Sequence, residues 1–518
     1  MTAPAPAPAA DATASRTPAT APAATLARFL HHVDRAPDAI AVREPDGREL
    51  TYAALLAAAR AQAAALTAQG VRPGYRVAVE CGYGGSYVVS LLAAWLLDAV
   101  AVPLDPAAPA ERRGYQVRQA DCRAVVSDAA RSDGVVRAAV AEVAATPPPA
   151  TGAEAGPPAA YVLFTSGSTG LPKGVEIEHA GLLNMLDYFS GALGLGPGDR
   201  MLAHSSVVFD MSVPEMLTPL TSGGTIVVAP GRCARNPEFF ARWLLSRPPG
   251  AAFATPSQLR LLLPFLAGER VFTHLVSAGE ALTAALAEEL EGVTGTLWNG
   301  YGPTETTVCG LCAKVTPPYR DPQPIGVPIP GLRAHVLDEE GRPAGPGVVG
   351  ELSLSGLGVA RGYVGSPELT ARSFTTGEDG TRTYRTGDLV RVGPDGLFTF
   401  HGRADDQVKI RGHRVELGEV ETVAERTPGV AQAVAVLSEV LRGRAELHLA
   451  LVPEEAGAEP GALRAVEGAL RERLGRELPA YMRPGRLLFF DALPRNRSGK
   501  TSRRDVVRLV EDRLPRPS

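Results

Sequence analysis

The stretch YVLFTSGSTGLPKGVEIEH, residues 161–179, decides how this chain is interpreted. An apolar, β-rich run ends at a loop in which hydroxyl side chains alternate with glycines, and a single lysine follows. Glycines allow backbone N–H groups to turn toward an anion, hydroxyls donate to its oxygens, and an ammonium adds a point charge. We therefore predict a buried strand followed by a polyphosphate-binding loop, formed by Thr165, Ser166, Gly167, Ser168, Thr169, Gly170 and Lys173.

This loop is not a Walker A motif, which requires Gly-Lys followed by Ser or Thr, four residues after its first glycine. Here two residues separate Gly170 from Lys173, and Gly174 follows the lysine. Taken alone, the pattern is also compatible with an ordinary Gly/Ser hairpin loop. A functional role for Lys173 is favoured because the chain has only three other lysines, Lys314, Lys409 and Lys500. We expect Lys314 on the surface, and Lys409 on the surface beside the hinge defined below.

Length and composition favour a multidomain protein. A chain of 518 residues is too long for a single hydrophobic core. Its net charge of −4 gives no support for a nucleic-acid or membrane-surface partner. Five cysteines do not form a disulfide framework, and the lone C-x-x-C of Cys309 and Cys312 lacks the second ligand pair of a zinc site.

The first 25 residues are an Ala/Pro/Thr-rich segment that we expect to be disordered. They lack the basic start and apolar core of a signal peptide. The most apolar stretch, 86–97, is too short to span a bilayer and is predicted to be a core helix. A cytoplasmic location is therefore expected.

Helices and strands alternate from residue 50 onward. We predict helices over 52–69, 86–97 and 109–120, followed respectively by strands over 75–80, 100–104 and 123–127. Such alternation indicates an α/β fold with a largely parallel sheet. Residues 146–158 are predicted to be a linker or surface loop.

The pattern changes toward the C-terminus. Short strands separated by Gly/Pro/Asp turns, between about 320 and 400, predict a small β-rich or barrel-like subdomain. After Asp405 we predict a compact α+β unit, with strands over 431–440 and 447–452 and a helix over 461–478. Leu463, Val466, Leu470 and Leu474 fall at helical spacing on that helix, as core residues do.

Further motifs occur in a fixed order along the chain. They are LTYAAL (50–55), LLDAVAVPLDPAAP (96–109), FDMSVPEM (209–216), NGYGPTE (299–305), GELSLSGLGVARGY (350–363), YRTGD (384–388), GRADDQVKIRGHRVELGEVE (402–421), LPAYMRP (478–484) and RSGK (497–500). Together with the opening loop, they closely resemble the amino-acid adenylation domains of nonribosomal peptide synthetases. These domains belong to a wider group of adenylate-forming enzymes that includes acyl-CoA synthetases and luciferases.

The resemblance covers about residues 25–515 and implies a two-domain α/β fold. A large N-terminal domain, 26–404, would contain mostly parallel sheets flanked by helices and the barrel-like subdomain. A small, mobile α+β domain, 405–518, would rotate about Asp405 between two half-reactions. In the first, a carboxylate reacts with ATP to give an acyl-adenylate and pyrophosphate. In the second, the acyl group passes to a phosphopantetheine thiol.

The resemblance also implies an ATP site. The opening loop would hold the β- and γ-phosphates, Tyr301 would stack on adenine, and Asp388 would bind the ribose hydroxyls with Arg403 nearby. Glu305 would hold Mg²⁺, and Lys500 would bridge the substrate carboxylate and the α-phosphate. The loop around Gly412 would replace Lys500 for thioester formation. The remaining nucleotide-site residues are Gly279, Asn299, Gly300, Gly302 and Thr304. Individually, these residues also have simpler structural explanations. Asp388 could be a turn aspartate, Arg403 a surface arginine, and Glu305 the cap of a short helix.

The matching substrate pocket contains one charged residue, Asp210. A carboxylate in an apolar pocket requires a cationic partner, and in amino-acid-activating relatives this aspartate binds the substrate ammonium. The other pocket positions are Met211, Pro214, Gln258, Val276, Ala278, Gly300, Val308 and Cys309. They predict a neutral, small to medium amino acid, α or β, with Gln258 available to a polar substituent. Cys309 would be a pocket wall.

Two departures from the family pattern are present. Pro214 replaces a tryptophan that is common at this position, so the placement of the substrate side chain is left open. The sequence RSGKTSRR replaces the usual NGKxDR but keeps Gly499 and Lys500. Because the chain ends shortly after Lys500, we expect a freestanding enzyme that loads a separate carrier protein in natural-product biosynthesis. The rival interpretations are an acyl- or aryl-CoA ligase and a non-catalytic nucleotide-binding protein.

Overall fold

The structure is a computed structural model that describes residues 22–128, 158–167, 170–405, 407–410, 412–438, 446–455, 457, 459–495 and 501–514. Residues 1–21 of the expected tail, nearly all of the 146–158 linker, Ser168, Thr169 and Lys500 therefore lie outside the described residues. The first helix begins at Pro22 and so includes the last four residues of the expected tail.

Ten helices are described before residue 405. They are α1 (Pro22–Arg35), α2 (Tyr52–Ala68), α3 (Gly85–Trp95), α4 (Ala110–Gln119), α5 (His179–Ala192), α6 (Ser212–Ser222), α7 (Pro237–Ser246), α8 (Pro256–Leu266), α9 (Ala284–Leu290) and α10 (Pro367–Ser373). Short 3₁₀ helices occupy Gly231–Ala234 and Thr304–Thr306.

Twenty strands are described in the same part of the chain. They are β1 (Ile40–Arg43), β2 (Glu49–Thr51), β3 (Arg76–Glu80), β4 (Val100–Pro103), β5 (Cys122–Ser127), β6 (Ala159–Thr165), β7 (Lys173–Glu178), β8 (Arg200–Ala203), β9 (Thr225–Val228), β10 (Gly250–Ala254), β11 (Phe272–Ala278), β12 (Thr294–Tyr301), β13 (Leu311–Val315), β14 (Pro324–Pro328), β15 (Leu332–Leu337), β16 (Gly350–Gly356), β17 (Gly362–Tyr363), β18 (Phe374–Thr376), β19 (Arg382–Val392) and β20 (Phe398–Arg403).

The C-terminal part contains β21 (Gln407–Ile410), β22 (His413–Glu416), α11 (Leu417–Glu425), β23 (Val430–Ser438), β24 (Glu446–Pro453), α12 (Pro460–Glu477), β25 (Arg486–Phe489) and α13 (Arg503–Arg513), with a 3₁₀ turn over Ala480–Met482. Strands β23, β24 and β25 form one sheet, and β21 pairs with β22 in a hairpin. On α12, Leu470 and Leu474 are buried in the core of this unit, as their spacing predicts.

Two sheets organise the larger part. One has the order β17-β7-β6-β4-β3-β5, in which β6, β4, β3 and β5 pair in parallel. The other runs from parallel strands β9, β8, β10, β11 and β12 into antiparallel β13 and β14. The predicted α/β fold, with a large N-terminal domain and a small C-terminal one, is confirmed.

The β-rich segment predicted over about 320–400 is not a detached unit. Strand β14 pairs with both β13 and β20, so the antiparallel strands continue the large sheet. They enclose a separate apolar cluster that includes Leu352, Leu354 and Val390. Because parallel strands end at one edge of a sheet, the carboxyl ends of β11 and β12 place Ala278 beside Gly300 at that edge, and Tyr301 follows Gly300 directly.

Candidate active site

The predicted phosphate loop connects two antiparallel strands. Thr165, at the end of β6, pairs with Lys173, at the start of β7, and the N–H of Gly170 donates to the carbonyl of Gly167 at 3.0 Å. A side chain at Gly167 would approach the carbonyl oxygen of Leu171 to 2.0 Å, so glycine is required at this position. The connection is thus a tight hairpin turn, and its chemistry rather than its topology distinguishes it from an ordinary loop.

Lys173 extends from this turn toward a buried carboxylate. Its Nζ lies 3.6 Å from Glu305 Oε1 and 3.3 Å from the hydroxyl of Tyr363. Burial lowers the pKa of Lys173, while the negative charge of Glu305 opposes that shift. The lysine is therefore held beside the loop by a fixed counter-charge.

Glu305 lies in the 3₁₀ turn after β12 and is fully buried. Its carboxylate accepts a hydrogen bond from the Tyr363 hydroxyl at 2.7 Å and pairs with Arg414 Nη1 at 3.0 Å. Burial alone disfavours its charge, but Arg414, Lys173 and Tyr363 outweigh that effect and lower its pKa to about 2. Glu305 is therefore a buried carboxylate that is ionised at neutral pH.

The predicted nucleotide residues on neighbouring strands meet at Asp388. Tyr301, at the end of β12, donates its hydroxyl to one oxygen of Asp388, and Arg403 Nη1 contacts the other. Asp388 and Arg403 are direct partners across β19 and β20. Arg403 also pairs with the predicted hinge residue Asp405 through Nε and Oδ1, 2.6 Å apart. The side chain of Asn299 is directed away from this group, because it donates to the carbonyl of Pro324 at 2.8 Å.

Asp210 lies just before α6, and Thr304 Oγ1 donates to its Oδ2 at 2.6 Å. Burial raises the pKa of the Asp210 carboxyl to about 6, against the opposing effects of the Thr304 hydrogen bond and the charge of Lys409. Asp210 is thus a carboxylate at neutral pH that lacks a full counter-charge, which is the condition expected of an ammonium-binding group.

One cavity contains residues from both the predicted substrate set and the predicted nucleotide set. It is lined by Phe164, Thr165, Ser166, Val208, Phe209, Asp210, Met211, Ala278, Gly279, Gly302, Pro303, Thr304, Val308, Asp388, Arg403, Lys409, Gly412, His413, Arg414 and Tyr481. Gly300 lies behind this lining, where a Cβ would be 3.3 Å from Val276 Cγ1, 3.5 Å from Ala278 Cβ and 3.6 Å from Cys309 Sγ. Val276 and Cys309 therefore back the pocket, whereas Pro214 and Gln258 are absent from this lining.

Gln258 has a partner that sequence reasoning missed. Thr255 caps α8 by accepting from the N–H of Gln258 at 3.2 Å, and this fixes the first turn that carries Gln258. The amide oxygen of Gln258 then lies 2.8 Å from His204 Nε2, and His204 Nδ1 lies 3.3 Å from buried Glu215. His204 and Gln258 are distant in sequence, so no local pattern indicates the contact.

The expectation for Lys409 was wrong. It lines the cavity, with Nζ 5.8 Å from the centre of the Tyr301 ring. Burial lowers its pKa, and Asp388 opposes that shift. Lys409 is opposite Arg414 in the β21–β22 hairpin, and directly paired residues share a face, so both point into the site. Lys314 is exposed on β13, as expected.

The loop at Gly412 reaches the site from the C-terminal unit. Its Cα lies 3.6 Å from where a Cβ on Gly279 would be, and a Cβ on Gly412 would be 2.5 Å from Thr255 Cγ2. His413 stacks on Tyr481, with ring centres 4.0 Å apart, and packs against Phe209. This is the arrangement that the resemblance associates with the second half-reaction.

Family models match both parts of the chain. The AMP-binding enzyme model covers residues 29–364, and the AMP-binding enzyme C-terminal domain model covers 419–500. The chain belongs to the AMP-binding enzyme family. It is an adenylate-forming ligase related to the adenylation domains of nonribosomal peptide synthetases.

Individual relatives include a tripeptide synthetase and a biosynthesis protein of two Streptomyces species. The chain is 39% identical over 502 residues to phosphinothricin tripeptide synthetase PhsC of Streptomyces viridochromogenes, covering 92% of this chain and 45% of that protein. It is 38% identical over 516 residues to novobiocin biosynthesis protein H of Streptomyces niveus, covering 95% of this chain and 84% of that protein. The chain thus spans less than half of the first relative and most of the second.

Solved structures share the fold. PA1221, described as a nonribosomal peptide synthetase protein containing adenylation and PCP domains, was solved in its holo form bound to a vinylsulfonamide inhibitor. It matches with a TM-score of 0.77 and 28% identity, over 94% of this chain and 84% of that one. IdnL1 matches with a TM-score of 0.76 and 29% identity, over 90% of this chain and 98% of that one.

Two features are absent from the part of the chain that the structure describes. No helix among them is long and apolar enough to cross a membrane. In the same part of the chain, no group of three or more His, Cys, Asp or Glu side chains is arranged to hold a metal ion. All five cysteines are described, and each is buried and free.

Proposed function

We propose that this chain activates a neutral, small to medium amino acid, α or β, with ATP and transfers it to a separate carrier protein. The aminoacyl group would pass from the aminoacyl-adenylate to the phosphopantetheine thiol of the carrier, in natural-product biosynthesis. The observation that carries the proposal is the single cavity shared by Asp210 and the Asp388–Arg403 pair. One carboxylate suits an ammonium, and the other suits hydroxyl groups of a ribose.

ATP would bind with its polyphosphate on the loop from Thr165 to Lys173 and its ribose at Asp388. Three features support this orientation. The loop supplies backbone N–H groups, hydroxyls and Lys173, the carboxylate of Asp388 lines the cavity as a hydrogen-bond acceptor, and Gly279 and Gly302 line the same cavity. Lys500, Ser168 and Thr169 remain proposals from the sequence alone.

Mg²⁺ fits this chain at Glu305. The carboxylate is fully buried and ionised, and Mg²⁺ commonly takes one or two carboxylates with phosphate and water oxygens, so a multi-residue cluster is not needed. When bound, Mg²⁺ would neutralise charge on the phosphates. Arg414 must leave Glu305 Oε2 to free that oxygen for the metal.

The substrate amino group would pair with Asp210, and Met211, Ala278 and Val308 would contact its side chain. Val276, Gly300 and Cys309 close the pocket behind them without a charge. Gln258 hydrogen-bonds with His204 and is absent from the cavity lining, so it adds no charge there. This supports a neutral side chain and leaves the α or β position of the amino group to experiment.

The two domains would divide the chemistry. The large one, 26–404, would bind both substrates, and the small one, 405–518, would turn about Asp405, a domain movement that brings first Lys500 and then the Gly412 loop to the reacting atoms. The free, buried cysteines support a cytoplasmic, reducing location.

ATP–pyrophosphate exchange tests the proposal. We expect exchange with neutral α- or β-amino acids and none with fatty or aryl acids. Exchange confined to acids without an amino group would instead favour an acyl- or aryl-CoA ligase. Absence of any adenylate across both panels would favour a non-catalytic nucleotide-binding protein. Transfer to a phosphopantetheinylated carrier, followed by intact-mass measurement, tests the second step.

A further inference from the structure

His204 lies at the edge of the sheet that carries the cavity. Strands β8, β10 and β11 are parallel neighbours, so their carboxyl ends share one edge. His204 follows β8 directly, and Thr255 follows β10. A Cβ on Gly279, which lines the cavity after β11, would be 3.5 Å from Thr255 Cγ2. Gln258 comes three residues after Thr255, in the first turn of α8, and therefore lies close behind this wall of the cavity.

Glu215 is a buried carboxylate that several donors hold in place. Its Oε2 accepts from the backbone N–H groups of His204 and Ser205, both at 3.0 Å, and from the hydroxyl of Tyr83. Its Oε1 accepts from Ser205 Oγ at 2.6 Å. The side chain is fully buried on α6. The position of the carboxylate is therefore fixed without any contribution from the His204 ring.

The ring of His204 lies between two oxygens that can only accept. Its Nδ1 is 3.3 Å from Glu215 Oε1, and its Nε2 is 2.8 Å from Gln258 Oε1. The ring also packs on Phe240, with ring centres 5.6 Å apart. A carboxylate favours a proton on the nitrogen that faces it, and an amide oxygen requires one. Both ring nitrogens therefore carry protons, and Nε2 donates to Gln258.

This hydrogen bond sets the direction of the Gln258 amide. Because the amide oxygen accepts from His204, the amide nitrogen points away from the ring. No residue in the part of the chain that the structure describes accepts from that nitrogen. An amide nitrogen carries two N–H donors and accepts nothing. Gln258, which is half-buried, thus offers only donors on its free side.

We propose that His204, held by Glu215, is a positioning residue that makes Gln258 a hydrogen-bond donor toward the substrate. The substrate class that fits is a neutral amino acid whose side chain carries an oxygen acceptor. The proposal rests on the proposed function and on the assignment of Gln258 to the substrate pocket that the family resemblance implies. Without His204, the amide could rotate and present either its oxygen or its nitrogen.

A fixed donor discriminates between substrates of the same shape. A side chain with an oxygen acceptor gains a hydrogen bond, whereas its methylene analogue leaves the donor unpaired. Gln258 is half-buried rather than enclosed, so the penalty is moderate. We expect about tenfold discrimination, the effect of one neutral hydrogen bond.

The test compares O-methylserine with norvaline, which differ only by an ether oxygen in place of a methylene. The β-homo counterparts of both compounds form the second pair. We expect kcat/KM of the unmodified chain, measured by ATP–pyrophosphate exchange, to be about tenfold higher for the oxygen-bearing member of at least one pair. Equal kcat/KM within both pairs, or exchange with neither oxygen-bearing compound, overturns the proposal.

Two variants assign the discrimination to this contact. Gln258→Leu removes the amide at a half-buried position, and His204→Phe keeps a ring against Phe240 but releases the amide. In both, we expect the ratio within the pair to fall toward one. The matched control is His335→Phe on exposed β15, which should keep the full ratio. An unchanged ratio in Gln258→Leu would place the acceptor elsewhere in the pocket and overturn the proposal.

A spectroscopic measurement on the unmodified chain tests the positioning directly. In ¹⁵N-histidine-labelled protein, the signals that disappear in His204→Phe belong to the His204 ring. We expect both nitrogens to be protonated at neutral pH. An unprotonated Nε2 overturns the proposal, because the ring would then accept from the amide nitrogen and turn the amide oxygen toward the substrate.

Failure of the proposed function has a different signature. If no amino acid supports exchange while both nitrogens of His204 are protonated, the assigned activity fails and the fixed direction of the amide stands. If other amino acids exchange normally but neither pair shows discrimination, only the further inference fails.

Discussion

At the scale of single residues, Asp210 has the largest expected effect on substrate choice. Asp210→Asn keeps the shape and the Thr304 contact but removes the charge that would pair with the substrate ammonium. Loss of one partner of a buried charge pair costs about 2–5 kcal/mol. We expect kcat/KM for the amino acid, measured by ATP–pyrophosphate exchange, to fall about 10²-fold or more.

The control for that change is Asp187→Asn on the exposed side of α5, where the carboxylate pairs only with Arg28. Surface pairs of this kind contribute little, so exchange should be unchanged. An Asp210→Asn variant with normal exchange would show that the ammonium binds elsewhere.

The same carboxyl predicts a pH dependence. Its pKa is raised by burial to about 6, so the ammonium-binding form is lost as pH falls below that value. We expect kcat/KM of the free enzyme to decrease about tenfold per pH unit below pH 6. A decrease that begins only near pH 4, where an ordinary aspartate titrates, would contradict this role.

Single residues also show which parts of the candidate site can be predicted from the sequence and which cannot. Asp210, Asp388, Arg403 and Glu305 are predicted as site residues because each lies in a motif of fixed spacing. The contact between His204 and Gln258 joins β8 to α8, and nothing in either segment indicates the other. Lys409 was misplaced because its surroundings come from Asp210, Tyr301 and Asp388, all far away in the chain.

At the scale of elements, the tight turn between β6 and β7 is the most sensitive to substitution. Gly167→Ala would place a Cβ 2.0 Å from the carbonyl oxygen of Leu171 and force the turn to open. Overpacking of this kind costs about 1–3 kcal/mol, so we expect KM for ATP to rise about tenfold or more. Gly468→Ala on α12, which meets open space, is the control and should leave KM unchanged.

Local pattern predicted the helices and strands of the first sheet within a few residues. The predicted helix 52–69 is observed as Tyr52–Ala68, and the predicted strand 75–80 as Arg76–Glu80. Hydrophobic periodicity and helix capping depend on neighbouring residues, so they can be predicted from the sequence. Continuity of the antiparallel strands with the large sheet depends on the pairing of β13 with β14, which has no such signal.

At the scale of the whole molecule, the proposed division of chemistry makes the half-reactions separable. Lys500→Ala should lower adenylation about 10²–10³-fold, the effect of losing one electrostatic group, while transfer from a supplied aminoacyl-adenylate persists. Exchange measures the first step, and mass measurement of the carrier the second. Lys314→Ala, on exposed β13, should affect neither. Near-normal exchange by Lys500→Ala would remove this lysine from the mechanism.

The order of motifs was enough to predict a large and a small domain, because that order accompanies the family fold, and the hinge at Asp405 stays a prediction. It did not predict which arrangement the chain adopts, since that depends on contacts such as Glu419 with Gly167, 252 residues apart.

Because of that contact, the carboxylate that binds the phosphate loop belongs to the same chain as the loop. A tethered ligand has an effective concentration set by the geometry of its connection, commonly on the order of millimolar for short flexible links, and dilution of the protein does not change it. A free ligand, by contrast, would dissociate on dilution. Here the Glu419 carboxylate is available to the N–H of Gly167 at the same effective concentration, however dilute the protein is.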